Sequence, residues 1–292
     1  MTKALESLNA IADVVLSYHQ PQNNSVKTTP SKIFEVGPHR VIQADCISAM
    51  QEMKAGSVDL VVTSPPYNIN LKYSKYNDDL PKDKYLDWME KVGQEIKRVL
   101  KDDGSFFLNV GGTNKDPLTA FEVALRMKNH FTMQNYIIWI KSVSIADESF
   151  GHFKPINSAR YLNHNHEHIF HFTKTGSTKV NRLAIGVPFK DKSNIARWGH
   201  KADKRCAGDV WFIPYKTVQS KDQKYNHPCT FPVELPQRCI RLHGKAKPVI
   251  LDPFLGTGAT LVAAQREGGN GIGIDIDGDY CKTAIARLTQ EN

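Results

Sequence analysis

Short apolar runs alternate along this chain with longer stretches in which apolar residues recur at helical spacing. The runs predict strands at residues 58–63, 105–110, 136–141, 167–173, 249–252 and 271–276. After the first run, one helical face is predicted by Leu86, Met89, Val92, Ile96, Val99 and Leu100. Strands that alternate with helices indicate an α/β fold, here a doubly wound, mainly parallel sheet.

Two segments depart from this alternation. Residues 20–32 are polar and contain proline, so we predict an N-terminal extension and linker over residues 1–35. Between residues 174 and 226 the periodicity weakens and basic residues accumulate. The remaining segments, 36–173 and 227–292, are therefore expected to form the two halves of one α/β domain.

The first candidate for chemistry is the turn that follows the run at residues 58–63. It consists of Ser64, Pro65, Pro66 and Tyr67. Proline fixes φ and has no N–H donor, so the turn is stiff and its carbonyls and serine hydroxyl can accept hydrogen bonds from a guest. An exocyclic amino group would suit these acceptors, and Tyr67 offers a flat face for a nucleobase. The alternative is an ordinary strand-ending turn with a core tyrosine.

The second candidate is the glycine turn that follows the run at residues 249–252. Gly256 and Gly258 allow the backbone to approach a ligand closely, and Asp275 follows on the next predicted strand, where a carboxylate can bind ribose hydroxyls. Leu261 stands where a dinucleotide fingerprint would have its third glycine. This segment predicts a nucleoside-cofactor site, without support for a nicotinamide or flavin pyrophosphate.

Together, the two segments resemble the motifs of the DNA amino-methyltransferases that use S-adenosylmethionine, in the permuted order called the beta class. The resemblance covers residues 41–288 and implies a Rossmann-like methyltransferase fold with an inserted target-recognition region at residues 174–226. It also implies methyl transfer to an exocyclic nitrogen of a flipped-out DNA base. Serine before Pro-Pro-Tyr leans towards N4 of cytosine in this family, and aspartate towards N6 of adenine. We therefore expect a DNA (cytosine-N4)-methyltransferase, with N6-adenine methylation as the alternative and a non-catalytic nucleic-acid-binding protein as a more distant one.

The resemblance also implies roles for individual residues. The expected catalytic residues are Ser64, Pro65, Pro66 and Tyr67. The expected contacts to the cofactor S-adenosylmethionine come from Asp45, Asp252, Phe254, Gly256, Gly258, Thr260, Asp275, His227 and Phe231. Residues 138–141, 165–168 and 208–211 also look like family landmarks.

A histidine-rich segment overlaps one of these landmarks. Alternate residues of a strand share a face, so His164, His166 and His168 invite a metal interpretation. The resemblance gives the segment another use, in which it shapes the wall of the catalytic pocket. We therefore expect no metal.

The formal net charge of +8 favours a polyanionic partner, and we expect double-stranded DNA. Trp198, Trp211 and Tyr215 are interleaved with the basic residues of the weakly periodic region, as in surfaces that bind phosphates and bases. The expected DNA contacts are Lys190, Lys192, Arg197, Lys201, Lys204 and Arg205. The alternative is a solvated basic loop. A cognate restriction endonuclease acting on the same site, without a stable complex, is expected by family association only.

Cysteine usage and hydropathy bear on the compartment. The five cysteines are scattered without a Cys-x-x-Cys pair, which favours reduced thiols over disulfides or a zinc site. Cys229 follows a proline, as the nucleophile of ring-carbon methylation would, but it lies in the segment expected to hold the cofactor. No apolar run is long enough to span a bilayer, and the first residues lack the character of a signal peptide. We expect a cytoplasmic protein.

Overall fold

The computed structural model describes residues 31–151, 156–197, 199, 201–214 and 230–291. Its strands are β1 (Lys32–Val36), β2 (His39–Gln43), β3 (Val58–Thr63), β4 (Leu100–Val110), β5 (Thr132–Ile140), β6 (Ser142–Ile145), β7 (Glu148–Gly151), β8 (His166–Thr173), β9 (Val210–Phe212), β10 (Val249–Asp252) and β11 (Asn270–Asp275). Its helices are α1 (Cys46–Gln51), α2 (Lys82–Val99), α3 (Thr119–Met127), α4 (Ser193–Arg197), α5 (Glu234–His243), α6 (Ala259–Arg266) and α7 (Gly278–Gln290).

Nine of these strands form one sheet in the order β1-β2-β11-β10-β3-β4-β8-β5-β9, and β6 and β7 form a separate hairpin. The central pairs, from β2 to β4, are parallel, whereas β1 and β8 run antiparallel to their neighbours. The predicted mainly parallel sheet is confirmed. The central strands show as apolar runs because parallel strands are buried on both faces, as all six residues of β3 are.

Helices cover both faces of the sheet. Val61 points towards the face on which α1, α2 and α3 pack, whereas Leu60 and Val62 point towards the face covered by α5 and α6. Successive strand residues alternate between faces, so one strand contributes to both cores. The predicted double winding is thereby confirmed.

The chain direction reverses between β3 and β10, at the centre of the sheet. From β10 the chain passes through α6 to β11 on one side, and from β3 it passes through α2 to β4 on the other. Ligands of open α/β sheets bind in the crevice at the carboxyl ends of the strands on either side of such a point. Both candidate turns lie at these two strand ends.

The structure departs from the sequence-based boundaries in two places. Lys32–Val36, expected to belong to a linker, forms β1; its side chains are mostly exposed, so no apolar pattern marks it. Within the expected target-recognition region, β9 joins the main sheet beside β5, and Trp211 is buried there instead of facing DNA. A three-residue strand is too short to give a period. The expectations for residues 1–30, Trp198 and Tyr215 lie outside the described residues.

No helix in the described ranges has the length and apolar character needed to cross a bilayer.

Candidate active site

A cavity of about 300 Å³ lies at the carboxyl ends of β2, β3, β10 and β11. The predicted site residues that line it are Asp45, Ser64, Pro65, Pro66, Tyr67, Phe231, Phe254, Gly256 and Asp275. They come from both ends of the chain, and the parallel sheet brings them together because the carboxyl ends of its strands share one edge. The predicted catalytic turn and most of the predicted cofactor residues thus form one site.

Three further predicted cofactor residues lie behind the cavity wall. Asp252 is buried and accepts hydrogen bonds from the hydroxyls of Thr63 and Thr260, each at 2.6 Å. Burial raises the pKa of Asp252 to about 6. Gly258 has φ 84°, and a Cβ there would lie 2.8 Å from that of Ala284. These contacts hold the glycine turn against β3 and α7. His227 lies outside the described residues.

Asp275 is the main carboxylate at the end of β11. Its Oδ2 accepts a hydrogen bond from the Gly256 N–H at 2.8 Å, and its Oδ1 accepts one from the Asp277 N–H at 2.8 Å. Burial raises the pKa of Asp275 to about 6, although these two hydrogen bonds favour the charged form. Each carboxylate oxygen keeps acceptor capacity beyond these bonds, so Asp275 can still bind two hydroxyls of a ligand.

Asp45 supplies a second carboxylate from the neighbouring strand end. It caps α1 by accepting from the N–H and the hydroxyl of Ser48, at 2.9 and 3.0 Å. The Ala44 N–H donates to the Asp275 carbonyl at 3.0 Å, which joins the two strand ends. The same side of the cavity therefore presents two acidic side chains, a surface suited to ligand hydroxyl and amino groups.

The catalytic turn is held from behind by α2 and β8. Tyr85 on α2 donates its hydroxyl to the Pro66 carbonyl at 2.8 Å. The hydroxyls of Ser64 and Tyr67 lie 2.7 Å apart, and the Tyr67 hydroxyl donates to Glu167 Oε2 at 3.0 Å. Ser64 is thus part of a hydrogen-bonded chain that ends at a carboxylate.

Three of the residues around Tyr67 had no role assigned from the sequence. Glu167 lay only within a family landmark. Asn109 on β4 donates to Glu167 Oε2 at 3.1 Å, and a Cβ at Gly111 would lie 2.9 Å from the Tyr67 ring. Asn109 is the single polar residue near the carboxyl end of a buried apolar run, and that position was the available signal.

The loop after the catalytic turn forms another wall of the cavity. Buried Asp78 accepts hydrogen bonds from the backbone N–H groups of Asn68, Ile69 and Leu71 at 2.8–3.1 Å. Ser74 donates to Asp277, which ties the loop to the segment after β11. The loop residues that line the cavity are Leu71, Tyr73, Ser74, Lys75 and Tyr76.

The histidine-rich segment lies in and before β8. His168 Nδ1 is 2.7 Å from the Tyr136 hydroxyl, and burial lowers the pKa of both His166 and His168. Within the described residues, no group of three His, Cys, Asp or Glu side chains is placed to hold a metal ion. The expectation that the protein uses no metal stays a prediction.

The basic residues predicted to bind DNA do not line the cavity. Lys190, Lys192, Arg197, Lys201, Lys204 and Arg205 are all exposed. They lie in a loop that is closed by a bridge between Val187 and Arg205, and Lys192 is paired with Asp203. Their role in DNA binding stays a prediction.

The sequence model of the DNA methylase family matches residues 58–286. The chain belongs to this family. The type II methyltransferase M.BglII of Bacillus subtilis is 28% identical over 276 residues, which cover 90% of this chain and 72% of that protein. The DNA adenine methyltransferase YhdJ of Escherichia coli K12 is 28% identical over 255 residues, or 85% of this chain and 82% of that protein.

Solved structures share the fold. The cytosine-N4-specific PvuII DNA methyltransferase superposes with a TM-score of 0.65 at 20% identity, covering 87% of this chain and 90% of that one. A modification methylase of Thermus thermophilus, TTHA0409, in complex with S-adenosyl-L-methionine, gives a TM-score of 0.57 at 25% identity, covering 85% and 93%. This chain is a DNA methyltransferase, and its cofactor is S-adenosylmethionine. The carboxylates of Asp45 and Asp275 fit the hydroxyl and amino groups of that molecule.

The pKa of Asp275 gives a pH prediction for cofactor binding. Its carboxylate is ionised above about pH 6 and protonated below it, so affinity for S-adenosylmethionine should fall as the pH falls through 6. If only the ionised form binds, the dissociation constant at pH 5 should be about tenfold that at pH 7. Calorimetry between pH 5 and 8 measures this. Asp275→Asn should flatten the dependence, and an equally steep one in that variant would contradict the assignment.

Proposed function

We propose that this chain transfers the methyl group of S-adenosylmethionine to the exocyclic N4 of a cytosine flipped out of double-stranded DNA. The observation that carries the proposal is that Ser64 and Tyr67 line the same cavity as Asp45, Gly256 and Asp275. A base inside the duplex cannot bring its amino group to a cofactor held there, so the target base must leave the stack.

The proposed chemistry relies on orienting a weak nucleophile. Bound S-adenosylmethionine supplies an electrophilic methyl carbon on a positively charged sulfur. The lone pair of the target amino nitrogen is delocalised into the base. Hydrogen bonds from its two hydrogens to the Ser64 hydroxyl oxygen and the Pro65 carbonyl localise that lone pair and direct it at the methyl carbon. Tyr67 provides the stacking surface for the base.

The identity of the base is the finer part of the proposal. Serine at position 64 supports N4 of cytosine, as the resemblance to the amino-methyltransferases implies. The second candidate is N6 of adenine, favoured by the 28% identity to a protein named a DNA adenine methyltransferase. The cytosine-specific PvuII enzyme is too distant, at 20% identity, to support more than the fold.

One experiment decides between these bases. Unmethylated plasmid DNA is incubated with the protein and S-adenosylmethionine, digested to nucleosides and examined by mass spectrometry. We expect N4-methylcytosine. N6-methyladenine would establish the second candidate, and the absence of either product would favour a non-catalytic nucleic-acid-binding protein. Sequencing of the methylated plasmid then maps the recognition site.

A biological role follows from the names of the relatives. Several are type II methyltransferases, including M.BglII and M.ScaI. We propose that this chain is likewise the modification enzyme of a restriction-modification system, whose endonuclease acts on the same DNA site. Plasmid methylated by this protein should then resist that endonuclease, and cleavage of fully methylated sites would contradict the pairing.

The exposed basic loop is proposed to contact DNA phosphates. Replacing Lys190, Lys201 and Lys204 by glutamine should weaken DNA binding and flatten its dependence on salt. Each lost phosphate contact is expected to reduce the slope of log affinity against log salt by about 0.9. Lys192 is left unchanged because Asp203 already neutralises it. The measurement is DNA affinity across a salt series.

A matched control removes three positive charges at the opposite edge of the sheet. Lys54, Lys97 and Lys247 are exposed and lie where strands β3, β4 and β10 begin. Replacing these three by glutamine should leave the salt slope close to that of the parent. If both triple variants change the slope equally, net charge alone explains the effect and the loop is a solvated surface.

A further inference from the structure

A chain of hydrogen bonds runs from the cavity into the sheet behind the catalytic turn. The Ser64 hydroxyl is 2.7 Å from the Tyr67 hydroxyl, which is 3.0 Å from Glu167 Oε2. On the far side of Glu167, Lys141 Nζ donates to Oε1 at 3.0 Å. The side chains of Glu167 and Lys141 are only 18% and 20% exposed, so bulk water does not readily replace these contacts.

Asn109 fixes the other side of the same carboxylate. Its Nδ2 lies 3.1 Å from Glu167 Oε2 and 3.2 Å from the His168 carbonyl. Both neighbours are acceptors, so the amide must present its NH₂ group to them. Asn109 and Lys141 thus donate to Glu167, and neither can receive a hydrogen from it.

The directions of the two hydroxyl hydrogens follow from these contacts. A carboxylate only accepts hydrogen bonds, so Tyr67 must donate to Glu167 Oε2. A tyrosine hydroxyl has one hydrogen, so in its contact with Ser64 it must accept, and Ser64 must donate. The hydrogen of Ser64 is then directed at Tyr67, and its oxygen keeps lone pairs with which to accept.

We propose that Glu167, acting through Tyr67, orients the Ser64 hydroxyl so that it can only accept hydrogen bonds from the target base. This inference rests on the proposed function and makes Glu167 a positioning residue. Cytosine and adenine present an amino group that donates to such an acceptor. Uracil, thymine and guanine present a carbonyl oxygen at the corresponding position, which Ser64 cannot serve. The hydrogen-bonded chain therefore selects amino bases as well as aligning the nucleophile.

Glu167→Gln is the test, because glutamine has the same shape but presents either a donor or an acceptor to Tyr67. The direction of the Ser64 hydrogen is then no longer fixed. We expect the single-turnover rate of labelled methyl transfer to plasmid DNA to fall about tenfold or more. The dissociation constant for S-adenosylmethionine should stay within about twofold of the parent value, since Asp45 and Asp275 are unchanged. A parent-like transfer rate, or an equal loss of cofactor affinity, would overturn the proposal.

Tyr67→Phe supplies the test of coupling, because it removes the hydroxyl through which Glu167 acts. In that background, Glu167→Gln should change the rate by less than about twofold, although the single change costs tenfold. Independent structural effects would multiply instead, and a multiplicative double variant would overturn the proposal.

Lys141→Met is the matched control, since it breaks the same ion pair from its other end and leaves the Tyr67 contact in place. We expect a loss of less than about threefold. An equal loss in Lys141→Met and Glu167→Gln would mean that the ion pair matters only for structure, and the proposal would fail.

The base selectivity gives a second readout. At the mapped target, the parent should bind a duplex carrying the amino base more tightly than one carrying the corresponding carbonyl base, and Glu167→Gln should lower that ratio. An unchanged ratio would overturn the selective role. If the unmodified chain itself transfers no methyl group to an amino nitrogen of DNA, the proposed function fails first, which separates that outcome from failure of the role of Glu167.

Discussion

Replacing Ser64 by alanine should lower the rate of methyl transfer about 10²-fold or more. Loss of one preorganised hydrogen-bonding group at a reacting atom has an effect of this size. Ser64 lines the cavity at the end of β3, and its hydroxyl is held 2.7 Å from that of Tyr67, so the acceptor is already in place before the base arrives. Single-turnover transfer of labelled methyl groups to DNA measures the rate.

The control for Ser64→Ala lies at the other end of the same strand. Ser57 immediately precedes β3 and donates its hydroxyl to the Lys54 carbonyl at 2.6 Å, away from the cavity. Ser57→Ala should therefore retain the parent rate. S-adenosylmethionine binding should be nearly unchanged in both variants. A parent-like rate in Ser64→Ala would remove Ser64 from the proposed chemistry.

Replacing Asp275 by alanine should weaken S-adenosylmethionine binding by roughly 1.5–3 kcal/mol, the range for hydrogen bonds to a charged group. That corresponds to a dissociation constant raised about 10- to 150-fold. Two backbone N–H groups already orient the carboxylate, and its remaining acceptor capacity faces the cavity. Calorimetric titration of the variant with the cofactor measures the change.

Asp279 offers a matched acidic control four residues further along. It is exposed at the start of α7 and pairs with Lys282. Asp279→Ala should bind S-adenosylmethionine as the parent does. Asp275→Asn keeps the shape of the side chain and should lose affinity in the same direction as alanine. Equal affinities in the parent and both Asp275 variants would show that Asp275 only orders the strand end.

The sequence determined the features that depend on a few neighbouring residues. The buried run Val58–Thr63 and the strand Val249–Asp252 were predicted as the structure has them, because central parallel strands need apolar side chains on both faces. The turns that follow them were also predicted, because proline and glycine fix the local backbone. Two such turns on neighbouring parallel strands had to meet at one sheet edge.

Only the tertiary structure decided which distant side chains complete the site. Glu167 lies 100 residues from Tyr67 along the chain, and Asn109 lies 58 from Glu167. They meet because β8 enters the sheet antiparallel beside β4, a pairing that no local period encodes. Asp252 looked like a cofactor ligand, but its direction depends on Thr63 and Thr260, which reach it from other elements. Local patterns set where strands end, whereas the orientation of a side chain at that end is set by partners that only the folded sheet supplies.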